Sequence, residues 1–164
     1  MGVPMLKAIK TGRLRAVSGT FAIVASRYNA EYVDAMLDAA QEELQRAGAK
    51  VRVVRVPGAF EIPVVAATLA RNSRITHHAS RLSAILCLGV ILRGETTHAA
   101  HIGEAVSRAL MDIQIAHGVP VIHEVLLLEN EQQAKVRCLD PKHNRGREAA
   151  QTALEMARVM AGLE

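Results

Sequence analysis

One stretch limits the possible fold more than any other: the nine residues Ala84–Leu92 carry no formal charge and are rich in Ile, Leu and Val. Such a run suits a strand covered on both faces, which places it inside a parallel sheet. It breaks at Arg93-Gly94 into Glu95, Thr96, Thr97 and His98. Beyond the break, Ile102, Val106, Ala109, Leu110 and Ile113 recur at helical spacing, with Thr96 or Thr97 as the expected cap. The segment therefore predicts strand, turn and helix. Free backbone N–H groups converge in that turn at the positive end of a helix dipole, an arrangement that holds phosphate. An ordinary turn with capping threonines explains the same residues equally well, so the turn alone does not decide function.

The rest of the chain repeats the alternation. Thr20–Ser26 predicts a first strand, and Asn29 is the expected cap of a helix from about Ala30 to Ala47, stopped by Gly48. Val33, Met36, Leu37, Ala40 and Leu44 form its buried stripe. Val51–Val56 predicts a second strand. The turn Pro57-Gly58 then opens a helix that tolerates Pro63 in its first turn and ends near Arg71. Residues 72–83 form a polar insertion, read as a surface loop or a short extension of that helix. The helix after Thr97 ends at His117-Gly118, and Val121–Leu128 predicts a fourth strand, interrupted by His123-Glu124. A short helix around Glu131–Arg137 and the loop CLDPKHNRG lead to a last helix marked by Ala149, Ala153, Met156, Ala157 and Met160. Strands alternating with helices predict a three-layer α/β fold with a four-stranded parallel sheet flanked by helices. Ligands in such sheets bind beyond the carboxyl ends of the strands, near a switch in strand order.

At 164 residues, half of them hydrophobic, the chain is long enough for one domain with a full core. No run approaches the ~18 apolar residues of a membrane span, so no membrane partner is expected. Residues 1–19 are basic and lack the apolar core of a secretory signal. They read as a mobile or intersubunit arm, with a transit-like segment as the alternative, and 20–164 as the single domain. Cys87 and Cys138 have no paired spacing, which supports neither a disulfide framework nor a zinc knuckle and fits a reducing, cytoplasmic setting. The net charge of +4 is spread along the chain and aromatic residues make up only 2%. Too few rings are present to stack on nucleic acid, which leaves a small anionic substrate as the preferred partner.

Scarcity makes the aromatic positions informative. Phe21, Tyr28, Tyr32 and Phe60 are the only ones, and Tyr28 and Phe60 fall in loops that follow strands. A planar heterocycle stacks against either ring, with backbone groups of Ala59–Glu61 and Val90–Leu92 reading its edges. The plainer view is that both rings cover the end of the sheet. Glu61 either accepts hydrogen bonds from substrate hydroxyls or supports the start of the Pro63 helix. Arg93 and Arg137 are possible charges for an anion. His98 and His101 lie one helical turn apart, but no third metal ligand has convincing spacing beyond His123 or Glu124. A histidine acting as proton shuttle is preferred to a metal site.

Taken together, VPGAFEIP at Val56–Pro63, RGETTH at Arg93–His98, GVPVIHEVL at Gly118–Leu126 and the NRG-EAAQTALEM ending at Met156 resemble the lumazine synthase family. The similarity runs from about Phe21 to Met160, leaving out the arm and the insertion. It implies a flavodoxin-like fold and condensation of 5-amino-6-ribitylamino-uracil with 3,4-dihydroxy-2-butanone 4-phosphate, without cofactor or metal. By the same resemblance, Tyr28, Ala59, Phe60, Glu61, Val90, Ile91 and Leu92 hold the pyrimidine and its ribityl chain. His123 stands where the family has a Phe supplied by a neighbouring subunit. Glu95, Thr96 and Arg137 hold the phosphate, and His98 transfers protons. The family assembles from pentamers, so a homo-oligomer with the pentamer as its unit is expected. Tyr28 and His123 replace less polar rings, Pro141 lies where a lysine is usual, Lys142 is displaced by one, and Arg145 replaces a lysine. Two other functions keep the same motifs in play: an archaeal-type riboflavin synthase that uses two lumazines, and a noncatalytic flavin- or lumazine-binding shell protein.

Overall fold

The computed structural model describes residues 17–75 and 81–164. Its elements are β1 (Thr20–Ser26), α1 (Ala30–Arg46), β2 (Lys50–Val56), a 3-10 turn (Ala59–Glu61), α2 (Ile62–Ile75), β3 (Leu82–Leu92), α3 (His98–His117), β4 (Val121–Leu128), α4 (Glu131–Ala134), a π-helical turn (Lys135–Leu139) and α5 (Arg145–Ala161). Residues 1–16, most of the basic arm, lie outside the described residues, as do 76–80 of the polar insertion.

The four strands pair in the order β2-β1-β3-β4, and every pairing is parallel. Burial explains the order. β1 and β3, the two apolar runs with the least charge, occupy the centre, and Phe21 through Ala25 and Ala84 through Leu88 are fully buried. β2 carries Lys50, Arg52 and Arg55 and takes an edge, where charged side chains also discourage pairing with other chains. Because successive side chains alternate, each central strand feeds two cores. Phe21, Ile23, Leu86 and Leu88 pack with α1 and α5, whereas Ala22, Val24, Ile85 and Cys87 pack with α2 and α3. Each fully buried Leu, Ile or Phe contributes roughly 1.5–3 kcal/mol of transfer free energy, so both faces of the sheet are strongly specified.

The layers lock at two close approaches. At Gly146 a Cβ would stand 1.9 Å from the Met36 carbonyl oxygen, so α5 crosses α1 at a spacing only glycine permits. At Gly89 a Cβ would meet Ile62, Ser26 and Val125 at 3.2–3.3 Å, which draws α2 close to the centre of the sheet. Gly118 ends α3 at φ 63, the left-handed conformation of a helix stop.

Several expectations need correction. Asn29 precedes α1 but does not cap it by its side chain: it sits at φ 56, ψ 46 and its amide is used elsewhere. Thr97 flanks α3 without a side-chain cap, while Thr96 Oγ1 accepts a 3.3 Å bond from the His98 backbone N–H. α2 continues past Arg71 to Ile75 because Ser73 turns inward and its hydroxyl accepts from Leu82 N at 2.7 Å, joining the helix end to β3. The short helix at 131 tightens into α4 and then widens into the π-helical turn, which holds Cys138 buried instead of in a loop. β4 runs unbroken through His123-Glu124, because both side chains find partners.

Candidate active site

In a parallel sheet all strands end on one side, and there the segments 27–29, 57–61 and 93–97 come together. The switch in strand order falls between β1 and β3, whose connections leave toward opposite faces. Pairing of β1 with β3 stops at Ala25 and Leu88, whereas β4 follows β3 to Leu92. Along Gly89–Leu92 the β1 side of β3 is therefore free of ladder bonds. One of its carbonyls, Val90 O, is taken by the Asn29 amide at 2.8 Å. Asn29 thus ties the loop after β1 to the end of β3, and its left-handed backbone aims it there.

The 3-10 turn is held from within. Glu61 Oε2 accepts from the Gly58 backbone N–H at 2.8 Å, so the carboxylate supports the start of the helical segment with one oxygen. Tyr28 N donates to Pro57 O, and the Tyr28 ring lies against Gly58, where a Cβ would come within 2.9 Å of it. Fixed in this way, Tyr28 and Phe60 are nonetheless 69% and 63% exposed. Neither ring covers the end of the sheet in the manner of a core residue. Beside them Glu95, Thr96 and His98 are exposed at the amino end of α3, a 20-residue helix, where the first-turn N–H groups and the helix dipole favour an anion. Arg93 is committed to a contact with Glu129, its Nη1 lying 3.0 and 3.1 Å from the two carboxylate oxygens.

Tyr28, Ala59, Phe60, Glu61, Val90, Ile91, Leu92, Glu95, Thr96 and His98 thus all belong to the carboxyl edge of the sheet. Two residues of the expected set do not join them. Arg137 lies in the π-helical turn, which packs on α1 and α5, across the sheet from α3. It is half-buried and has no hydrogen-bonded partner among the described residues. His123 lies five residues before the end of β4, about 16 Å back along the strand at ~3.3 Å per residue. Its ring meets α3 at Ser107, nine residues beyond His98, whereas Glu124 bonds Arg145 on the α5 side, and among the described residues no three His, Cys, Asp or Glu side chains are grouped to hold a metal ion.

The sequence reading missed the charge cluster that fixes the loop before α5. Arg145 Nη2 and Nε donate to Glu124 at 2.8 and 3.0 Å, and Arg145 Nη1 donates to Glu148. Burial raises the Glu124 carboxyl above its usual range, and the arginine draws it part of the way back. Arg145 is therefore spent on two carboxylates and is not a spare cation for phosphate. Asn144 donates to Cys138 O at 2.6 Å and accepts from Gly146 N at 2.8 Å, capping α5. The visible signal was Glu124 itself, an acid inside an apolar strand that demands a partner.

The sequence profile of the 6,7-dimethyl-8-ribityllumazine synthase family matches residues 18–161. A 6,7-dimethyl-8-ribityllumazine synthase of Stenotrophomonas maltophilia (strain R551-3) is 40% identical over 149 residues, covering 89% of this chain and 92% of its own length. Another, from Xanthomonas campestris pv. campestris (strain B100), is 38% identical over 152 residues, 91% of this chain and 94% of the relative. A third, from Xanthomonas euvesicatoria pv. vesicatoria (strain 85-10), is 37% identical over 152 residues with the same coverage. A match over nearly the whole described domain, on a fold whose motifs fall at one edge of the sheet, settles the assignment: this chain belongs to the 6,7-dimethyl-8-ribityllumazine synthase family.

Proposed function

We propose that this protein condenses 5-amino-6-ribitylamino-uracil with 3,4-dihydroxy-2-butanone 4-phosphate to 6,7-dimethyl-8-ribityllumazine, releasing phosphate and water, in riboflavin biosynthesis. The observation that carries this is the grouping at one sheet edge of two exposed rings, a stretch of β3 backbone with no ladder bonds on its β1 side and the exposed amino end of α3. A flat, hydrogen-bonding heterocycle suits the first two, and a phosphate suits the third.

In this mechanism the pyrimidine lies against Tyr28 and Phe60, with the backbone of Val90–Leu92 reading its edge and the ribityl hydroxyls at the free oxygen of Glu61. The phosphate sits at Glu95-Thr96 on the N–H groups of α3, with Arg137 of a neighbouring copy as its cation, since within one chain Arg137 lies across the sheet from that turn. The substrate amine attacks the ketone, water leaves to give an imine, phosphate is eliminated, and the second amine closes the ring with loss of water. His98, one residue from the phosphate turn, moves protons in these steps. Holding amine and ketone together supplies most of the acceleration, since well-oriented partners reach effective molarities of ~10⁵ M. His98 then adds less than the ~10²–10⁴-fold typical of a general acid-base group.

A second copy completes the site. Both rings stay largely uncovered in one chain, and His123 lies on an edge strand away from its own chain's turn, as fits a residue serving a neighbour. The pentamer is the proposed unit, and the cytoplasm the proposed location. Incubation with both substrates, and with each omitted in turn, tests the reaction. Product of the mass of the lumazine only when both are present supports it. Riboflavin made from lumazine alone, or tight pyrimidine binding without turnover, refutes it.

A further inference from the structure

His123 is held more firmly than an exposed edge-strand histidine needs to be. Its Nδ1 is 3.2 Å from the Val125 backbone nitrogen, whose N–H can only donate. Nδ1 is therefore the acceptor, and in the neutral ring the proton is on Nε2. Nε2 lies 2.7 Å from Ser107 Oγ. Ser107 in turn donates its hydroxyl proton to Gly103 O at 2.8 Å. The chain from Nε2–H through the serine hydroxyl to the helix carbonyl leaves no proton position open, and the ring plane is fixed at both nitrogens. The ring remains exposed along the outer edge of β4, which among the described residues pairs only with β3.

We propose that Ser107 is a positioning residue: it holds His123 as the neutral Nε2–H tautomer in one plane, so that the ring offers a flat, uncharged face to the pyrimidine site of a neighbouring copy. The proposal rests on the functional reading above and adds to it the residue that sets the ring. The surroundings keep the ring neutral. From β3 the residue opposite is Cys87, a buried thiol whose burial keeps it protonated. From α3 the groups are Ser107 and Gly103, and the flanking charges Glu104 and Arg108 face each other at 3.5 Å. Among the described residues no charge of either sign is bonded to the imidazole, and burial lowers its proton affinity below the usual histidine range, outweighing the opposite pull of a backbone hydrogen bond. Protonation at Nδ1 would also set an N–H against the Val125 N–H, so the cation cannot keep the neutral geometry.

The test combines a spectroscopic readout with kinetics. Histidine-labelled full-length protein is titrated by NMR, and the resonance missing from His123→Gln identifies His123. Wild type should show the Nε2–H tautomer and a pKa below the usual histidine value. Ser107→Ala should give mixed tautomers, a pKa moved toward that value, and KM for 5-amino-6-ribitylamino-uracil raised about fivefold, the scale of one lost hydrogen bond, with kcat nearly unchanged. Ser107→Thr should restore all three. An unchanged tautomer and KM in Ser107→Ala overturn the proposal. So does a changed tautomer with unchanged KM while His123→Gln raises KM. A wild type without turnover that still shows the locked tautomer, lost in Ser107→Ala, sinks the functional reading but upholds the hold of Ser107 on the ring.

Discussion

Replacing Gly146 by Ala probes the contact on which the α1–α5 layer depends. The new Cβ would lie 1.9 Å from the Met36 oxygen and 2.5 Å from its carbonyl carbon, against about 3.4 Å for ordinary contact, so α5 must retreat by roughly 1.5 Å. The obstacle is backbone and cannot rotate away. Overpacking of a core costs typically 1–3 kcal/mol. A retreat of this size also strips contact from Ala149, Ala150 and Ala153, all fully buried, and forfeits much of the dispersion they share with α1. Helix propensity returns at most ~1 kcal/mol. The net loss should be about 2–3 kcal/mol, or a Tm drop of roughly 4–12 °C at 2–4 °C per kcal/mol. Gly103→Ala is the control: its Cβ would meet only Leu127 at 3.5 Å or more, so propensity should stabilise by about 0.5–1 kcal/mol. Urea unfolding followed by circular dichroism, at one protein concentration so that assembly does not confuse the comparison, measures both. A Gly146→Ala variant as stable as wild type would refute the packing account.

Other consequences are testable in the same preparations. Arg137→Ala should reduce kcat/KM for the phosphate substrate by tenfold or more, as expected for a charge-assisted contact of roughly 1.5–3 kcal/mol, and more than His98→Ala reduces turnover. The reverse order in steady-state assays contradicts that division of labour. Because burial raises Glu124 above its unfolded value near 4.5, the folded chain binds that proton more tightly. Its contribution to stability is full below the unfolded value and is lost as pH rises through the folded one. The stability advantage of wild type over Glu124→Gln should therefore shrink as pH rises from 4.5, and an advantage that grows with pH in denaturation curves argues against it. Asn29→Gly keeps the left-handed backbone while losing the amide, so Asn29→Ala should be less stable than Asn29→Gly by about 1 kcal/mol, measured by urea unfolding. Equal stability would mean the conformation at 29 costs nothing.

What could be read from the chain, and what could not, divides by range of interaction. Thr20–Ser26 and Val121–Leu128 have the bounds expected from their apolar runs, and parallel pairing followed from the helices between strands. Gly118 stops α3 where a left-handed residue was needed. Features set by distant partners were not legible. Asn29 reads as a cap from its neighbours alone, and only the folded sheet brings Val90 O within reach, 61 residues away. Arg145 looks like a free cation until β4 presents Glu124 to it, 21 residues earlier in the chain. Ser107 belongs to an amphipathic helix and carries no mark of its role until His123 is packed beside it. At the site, the post-strand segments were expected together and do meet. His123 and Arg137 carry no local signal of their separation from the turn before α3, because which layer a loop joins depends on the whole sheet.

The proposed function is catalysis of lumazine formation. Purified protein mixed with 5-amino-6-ribitylamino-uracil and 3,4-dihydroxy-2-butanone 4-phosphate, followed by absorbance and by phosphate release, should form product in proportion to enzyme, above a protein-free control and with one phosphate per lumazine. Folded protein that binds the pyrimidine yet forms lumazine no faster than the control would contradict it.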